Sequence, residues 1–111
     1  MRPNNNLNIS AADASVNQTG VILPAAFVVA LSAQVLVTGT STGTVTIQVS
    51  NDETNPTHWT TIPTVGSVTT TGAGIFLIPK LDICYEWVRV SYTATNAASG
   101  TLTVNVHTYG F

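Results

Sequence analysis

The chain has 111 residues, of which 44% are hydrophobic and only 7% are charged, and its formal net charge is -2. An average globular chain is about 25% charged, and a hydrophobic fraction of this size excludes the highly charged, weakly hydrophobic class of disordered chains. The length fits one domain. The small negative charge excludes a strongly basic surface, so we expect neither nucleic acid nor a membrane among the partners.

The N-terminal segment has little apolar surface and contains the consecutive asparagines Asn4, Asn5 and Asn6. We predict an extended arm over residues 1–9 and a single folded domain over residues 10–111. The arm is either a frayed terminus or a segment that lies on a neighbouring subunit. The sequence leaves both interpretations open.

The start of the chain and its cysteine content indicate the cellular compartment in which the chain folds. No apolar signal segment follows Met1, and Cys84 is the single cysteine. We therefore expect synthesis and folding in a reducing cytoplasm, without a disulfide bond inside the chain.

Residues 21–37 carry no charge, so we ask whether this stretch could be a membrane-spanning helix. A spanning helix needs about 20 apolar residues and usually has Lys or Arg at its flanks. This stretch is shorter, contains Pro24 and has no basic flank. We expect a soluble chain.

Within this stretch, residues 27–37 alternate as a strand does. All odd positions are apolar, whereas the even positions are mixed: Val28, Ala30, Ser32, Gln34, Leu36 and Thr38. A strand whose second face is also partly apolar needs a cover. A loop of the same chain or a neighbouring subunit could supply it, or the segment could instead be a helix that begins near Pro24.

Two later segments, residues 44–50 and 101–107, alternate strictly and are rich in β-branched residues. Each presents one apolar face: Val45, Ile47 and Val49 in the first, and Leu102, Val104 and Val106 in the second. We predict that both are half-buried antiparallel strands.

Turn-forming residues separate these strands from further strand-like runs. Runs are also predicted at residues 33–37, 75–78 and 85–93, and Pro79 should end the second of them. Turns are predicted at residues 38–43, 51–56, 72–74 and 96–100. Runs about ten residues apart indicate a sandwich or closed barrel, and no amphipathic helix of useful length is visible. The predicted fold class is all-β, a single antiparallel β-sandwich.

No catalytic constellation is visible. Nucleophilic catalysis needs a nucleophile with an oriented base beside it. His58 follows a turn beside Trp59, and His107 lies on the polar side of the last strand, so we interpret both as solvent-facing. Asp82 and Glu86 resemble a glycosidase pair only in residue type. We expect no enzyme activity.

We likewise expect no metal and no cofactor. Zinc needs three or four closely spaced ligands, which Cys84 and two isolated histidines do not supply. Asp52 and Glu53 in an Asn-rich turn could bind calcium, but two adjacent carboxylates fit a solvated turn better. Phosphate-binding loops and dinucleotide fingerprints are absent.

Aromatic residues give the clearest hint of a functional surface. Tyr85, Trp87 and Arg89 share one strand face, and Val88, Val90 and Tyr92 share the other. Trp, Tyr and Arg are enriched at interface hot spots, and rings on a flat strand face also suit sugar binding. Trp59 fits the core better, whereas core and interface both stay open for Trp87.

Four stretches carry a resemblance to a known group of proteins. Residues 38–52 read TGTSTGTVTIQVSND, residues 59–62 read WTTI, residues 87–93 read WVRVSYT and residues 99–104 read SGTLTV. They resemble small β-sandwich virion proteins of tailed bacteriophages, of the head decoration or auxiliary capsid type. The expected fold is a jelly-roll-like sandwich, with an immunoglobulin-like sandwich as the alternative.

The resemblance implies a non-enzymatic virion structural protein that decorates or cements a phage capsid or tail. Its expected partners are its own copies and major capsid or other virion proteins, and its expected location is the virion, after synthesis in the host cytoplasm. The candidate interface residues are Phe27, Val28, Ala30, Leu36, Tyr85, Trp87 and Arg89.

The alternative function is a carbohydrate- or receptor-binding module of a phage fibre. In that case Trp59, Trp87 and Tyr92 would stack on surface glycans.

Overall fold

The computed structural model describes the backbone of residues 2–26, 28–62, 65–96 and 98–110 and, within these ranges, the side chains from residue 6 onward. The described residues form ten β-strands and no helix, which confirms the all-β prediction. The strands are β1 (Arg2–Asp13), β2 (Gln18–Thr19), β3 (Leu23–Pro24), β4 (Val28–Gly39), β5 (Thr42–Ser50), β6 (Thr60–Thr61), β7 (Ser67–Thr71), β8 (Gly74–Asp82), β9 (Trp87–Ala94) and β10 (Gly100–Gly110).

The strands form two antiparallel sheets. The four-stranded sheet has the order β1-β10-β4-β8, and the six-stranded sheet has the order β2-β9-β5-β6, with β3 also on β9 and β7 also on β5. The antiparallel pairs are nested: β1 with β10, β2 and β3 with β9, β4 with β8, and β5 with β6 and β7. The chain is thus one long hairpin wound into two sheets.

This winding is the jelly-roll arrangement, which confirms the expected fold. An immunoglobulin-like sandwich keeps its first two strands in the same sheet. Here β1 belongs to the four-stranded sheet and β2 to the other one, so the alternative topology does not apply.

The core lies between the sheets and is built from alternate residues of the long strands. On β5 and β10 the predicted apolar faces are buried: Val45, Ile47, Val49, Leu102, Val104 and Val106. On β9, Val88, Val90 and Tyr92 are buried, as their shared face predicts. Alternation alone therefore identified the core side of these three strands.

Strand β4 buries four odd positions of the ambiguous segment, Leu31, Ala33, Val35 and Val37, and half-buries Val29. A helix beginning near Pro24 is wrong, because Pro24 ends the short strand β3 and β4 begins at Val28. The even positions from Ser32 to Thr38 lie on the outer face of the four-stranded sheet, whereas Val28 packs against the core. Phe27, the first residue of the predicted run, lies outside the described residues.

The N-terminal segment is part of the four-stranded sheet. Strand β1 pairs with β10 from Arg2, opposite Gly110, to Asp13, opposite Thr101, so it crosses the boundary drawn at residue 9. The pairing slips on both sides of Ile9, and nearby Ala11 adopts a positive φ of 45°. Strand β1 is therefore an irregular, bulged edge of the sandwich.

The predicted end of the run at Pro79 is wrong, because β8 continues through Pro79 to Asp82. Proline lacks a backbone N–H and is tolerated in a strand only at an edge or a bulge. Strand β8 meets both conditions, since it is the last strand of its sheet and its pairing with β4 slips between Leu31 and Ala33.

A buried tyrosine connects the two halves of the winding. The Tyr92 hydroxyl donates a hydrogen bond to the carbonyl of Ala14 at 2.8 Å and lies 3.3 Å from the carbonyl of Thr42. A Cβ atom at Gly43 would lie 2.5 Å from the Tyr92 ring, so the ring needs a glycine beside it. Burial raises the pKa of Tyr92 above its ordinary value.

We predict that Tyr92→Phe lowers the free energy of unfolding by about 1–2 kcal/mol, because the buried Ala14 carbonyl loses its donor. The matched control is Tyr109→Phe, which removes a hydroxyl from a ring that is 42% exposed and should change stability by less than about 0.5 kcal/mol. Urea unfolding measures both variants. Equal effects would contradict the role assigned to the Tyr92 hydroxyl.

Candidate interaction surface

The sequence-predicted interface residues separate onto opposite sides of the sandwich. Val28, Ala30 and Leu36 belong to β4 in the four-stranded sheet, whereas Trp87 and Arg89 belong to β9 in the six-stranded sheet. The structure therefore does not bring the set together into one surface.

On β4, only Leu36 presents a large apolar side chain to solvent. Val28 is half-buried and packs against the core, and Ala30 is 8% exposed. Ala30 lies in a depression of about 320 Å³ whose lining includes Lys80, His107 and Tyr109. His107 is exposed on β10, in agreement with its interpretation as a solvent-facing strand residue.

Leu36 is joined by two residues that the sequence analysis did not select. Leu36 lies directly opposite Ile75 of β8, and its neighbour Gln34 lies opposite Leu77. The exposed fractions of Leu36, Ile75 and Leu77 are 43%, 63% and 64%. These three side chains are neighbours on one flat face, and we call them the β8 apolar patch.

The signal for Ile75 and Leu77 was present in the sequence. Residues 75–78 are all apolar, so this run also has two apolar faces. The structure buries Ile78, half-buries Phe76 and leaves Ile75 and Leu77 exposed. Like the second face of residues 27–37, the second apolar face of this run needs a cover.

On the other sheet, Arg89 and the two tryptophans make contacts within the chain. The Arg89 guanidinium lies 4.3 Å from the ring centroid of Trp59, a cation–π distance. Its Nε donates to Oε1 of Gln48, the cross-strand neighbour of Arg89, at 2.7 Å. The Trp87 indole Nε1 donates to the carbonyl of Asp52 at 2.9 Å. The arrangement holds the loop before β6 against the sheet.

Two aromatic predictions need correction. Trp59 is half-buried beside Arg89 and is not part of the buried core cluster, so its assignment to the core is wrong. Tyr92 is 1% exposed, so it cannot stack on a sugar together with Trp59 and Trp87. Tyr85 lies in the bend before β9 and is 36% exposed.

Asp52 organises the same loop. Its Oδ2 accepts hydrogen bonds from the backbone N–H groups of Thr57, at 2.7 Å, and His58, at 3.0 Å. These bonds, with the one from His58 the larger cause, lower the pKa of Asp52 from 3.8 to about 2. The same hydrogen bonds therefore favour the ionised form of Asp52 and stabilise the loop.

The contacts of His58 do not form a catalytic relay. Thr57 Oγ1 and Asp52 Oδ2 both contact the same ring nitrogen, Nδ1, at 3.2 and 3.3 Å. A relay needs the acid at one ring nitrogen and the nucleophilic hydroxyl at the other. A depression of about 500 Å³ lies beside this group, with Asn51, Tyr85 and Thr61 also in its lining.

Metal ligands are not clustered in the part of the chain that the structure describes: no three His, Cys, Asp or Glu side chains lie together. The described ranges also contain no helix with the length and hydrophobicity needed to cross a bilayer. Cys84 is exposed.

No family model matches the chain, and no curated protein matches it either. Solved structures do match. The PBSX exported protein XepA is 13% identical with a TM-score of 0.73 over 99% of this chain, and the chain spans only 37% of XepA.

Two further structures match along most of both chains. The SPBc2 prophage-derived protein YomS is 13% identical with a TM-score of 0.56, over 97% of this chain and 95% of its own. Bacillus endospore appendages, described as disulfide-linked pili, are 12% identical with a TM-score of 0.58, over 99% and 88%. At these identities the similarity shows the fold, a β-sandwich shared with prophage-derived and appendage proteins.

We predict that acid releases the loop before the rest of the fold changes. Because the pKa of Asp52 is depressed in the folded state, its stabilising effect is complete above pH 3.8 and is lost as the pH falls toward about 2. Tryptophan fluorescence should report this transition, since Trp87 donates to the Asp52 carbonyl.

Asp52→Asn should lack the transition, because the amide does not titrate. The control Asp82→Asn removes a carboxylate from the exposed end of β8 and should retain it. A wild-type transition that persists unchanged in Asp52→Asn would show that another group controls the loop.

Proposed function

We propose that this chain is a non-enzymatic structural protein of a bacteriophage particle. In this proposal it is located in the virion, where it decorates or cements the capsid or tail by binding its own copies and other particle proteins. The β8 apolar patch carries the proposal, because a soluble domain this poor in charge exposes Leu36, Ile75 and Leu77 side by side. Contiguous exposed apolar side chains mark surfaces that bind other proteins.

The residues around the patch support the same function. The row across the sheet at Leu77 continues through Gln34 and Asn105 to Leu7, which is 52% exposed. This row carries no charge. Uncharged side chains can enter an interface without the cost of desolvating an ion, and the cores of interfaces are depleted in charge.

Of the sequence-predicted residues, Leu36 has the central place in the proposed surface. Tyr85, Trp87 and Arg89 would form a second contact on the opposite side, where contacts with the loop before β6 hold Trp87 and Arg89 rigid. A rigid side chain loses less conformational entropy on binding. The solved structures with this fold include a prophage-derived protein and a pilus-forming appendage, which supports a role in assemblies.

We predict that the chain is a component of particles released by the phage whose genome encodes it. Particles stripped of the chain should rebind added wild-type protein, whereas Leu36→Glu should bind at least about tenfold more weakly, because a charge in the apolar patch must be desolvated. Co-sedimentation measures the binding.

Thr69→Glu is the matched control, since it adds the same charge at an exposed position of the other sheet and should bind as the wild type does. If the purified particles never contain the chain, the proposed function is wrong. If both variants bind equally well, the apolar patch is not the contact.

A further inference from the structure

Strand β8 is an open edge of the four-stranded sheet. It is the last strand in the order β1-β10-β4-β8, and no described strand pairs with its outer side. Residues 74–78 of this edge carry no charge, and Ile75 and Leu77 point to solvent. The unpaired N–H and C=O groups of an exposed apolar edge form a template for another strand.

The usual protection of an edge strand is confined to the second half of β8. Lysine, proline and bulges prevent edge-to-edge pairing in natural sheets. Pro79 and Lys80 lie beside the slip in the pairing with β4, beyond the uncharged half. The first half, residues 74–78, has none of these devices.

The other described edges offer poorer templates. Strand β1 slips twice in its pairing and contains Ala11 at positive φ. Strands β2, β3 and β6 have two residues each. Strand β7 exposes Thr69 and Thr71 rather than large apolar side chains. Gly74 has a positive φ of 156°, but residues 75–78 pair with β4 without a slip. They are the longest apolar stretch of this kind among the edges of the described strands.

We propose that two copies of this chain pair through residues 74–78 of β8, antiparallel and about a twofold axis at Phe76. The inference rests on the self-association in the proposed function and identifies its site. In this register Ile75 of each copy lies opposite Leu77 of the second copy. The two β8 apolar patches then join into one stripe on a sheet that runs continuously through both copies.

The side chains select this register. When the twofold axis passes through a residue, and not between two residues, each exposed position of one copy lies opposite an exposed position of the other copy. An axis at Leu77 would place Ile75 opposite Pro79, which lacks an N–H, and Gly74 opposite Lys80. An axis at Phe76 pairs only uncharged residues and leaves Lys80 and Asp82 outside the paired stretch.

The occupant of this edge is a second copy of the chain. A strand related to itself by a twofold axis is self-complementary, so each copy supplies both the template and the added strand. An uncharged, apolar edge pairs with an edge of the same character without desolvating an ion. Residues 74–78 of a second copy have that character and the same length.

The first test changes charge across the axis and measures the mass of the protein by sedimentation velocity. The wild type should be a dimer. I75K/L77K should be a monomer, because lysines would lie opposite each other at both places where position 75 of one copy faces position 77 of the other. I75K/L77E should recover the dimer at low salt, because each pair then joins opposite charges. Positions 75 and 77 are largely exposed, so circular dichroism should show that all variants fold.

The matched control is T69K/T71K. It adds two lysines at exposed alternate positions of β7 and should remain dimeric. If the wild type is a monomer at its highest soluble concentration, or if I75K/L77K is still a dimer, the proposed pairing is overturned.

The second test examines the register with cysteines in a C84S background. A 1:1 mixture of I75C and L77C should form disulfide-linked dimers, because directly opposite residues in an antiparallel pair have Cα atoms about 4.5–5.5 Å apart, within disulfide range. Each variant alone should crosslink poorly, because the two copies of the same position lie diagonally across the strand pair and are farther apart than directly opposite residues. Equal crosslinking in the single variants and the mixture would overturn the axis at Phe76.

The results separate this inference from the proposed function. A monomeric wild type that binds particles overturns the β8 pairing and leaves the structural role intact. A β8-paired dimer that is absent from particles supports the pairing and overturns the structural role.

Discussion

The alternation of side chains along a strand is the constraint on which this structure depends. Two sheets that share one core bury only every second residue, as on β5, where Val45, Ile47 and Val49 are buried and the residues between them are not. In most strands here Thr, Ser, Asn and Gln fill the outer positions. Strands β4 and β8 break the pattern, because Leu36, Ile75 and Leu77 are outer residues and apolar. The core does not require them, which is why they carry the proposed contact with other proteins.

This constraint explains how much of the fold could be predicted. The buried faces of β5, β9 and β10 followed from period two, and the turn after β4 followed from Gly39, whose φ of 84° suits glycine. Local pattern could not assign strands to sheets. The Asn-rich start of the chain becomes β1 because β10 supplies its backbone partners, and β8 passes Pro79 because it is an edge. Both outcomes depend on distant residues.

The site was harder to predict for the same reason. Residues 85–92 were correctly divided into two faces, but what covers the outer face is set by a loop distant in sequence. Trp59 is held by Arg89, and Trp87 by the carbonyl of Asp52. The sequence pattern therefore predicts an open binding face, whereas in the folded chain Trp87 and Arg89 anchor a loop. Leu36 was predicted from β4 alone, whereas its neighbours Ile75 and Leu77 required the register between β4 and β8.

The two edges of the four-stranded sheet differ in how well each could accept a further strand. Strand β1 begins with the charged Arg2, and its bulges and Ala11 at positive φ follow in its second half. Residues 75–78 of β8 are uncharged and pair with β4 without a slip. A sheet with two open edges could add copies without end, as fibrils do. A sheet with one open edge stops at two copies, because a twofold pairing uses the open edge of each. Pairing through β8 would therefore close on itself and leave the opposite sheet, with Tyr85, Trp87 and Arg89, free to contact a different protein.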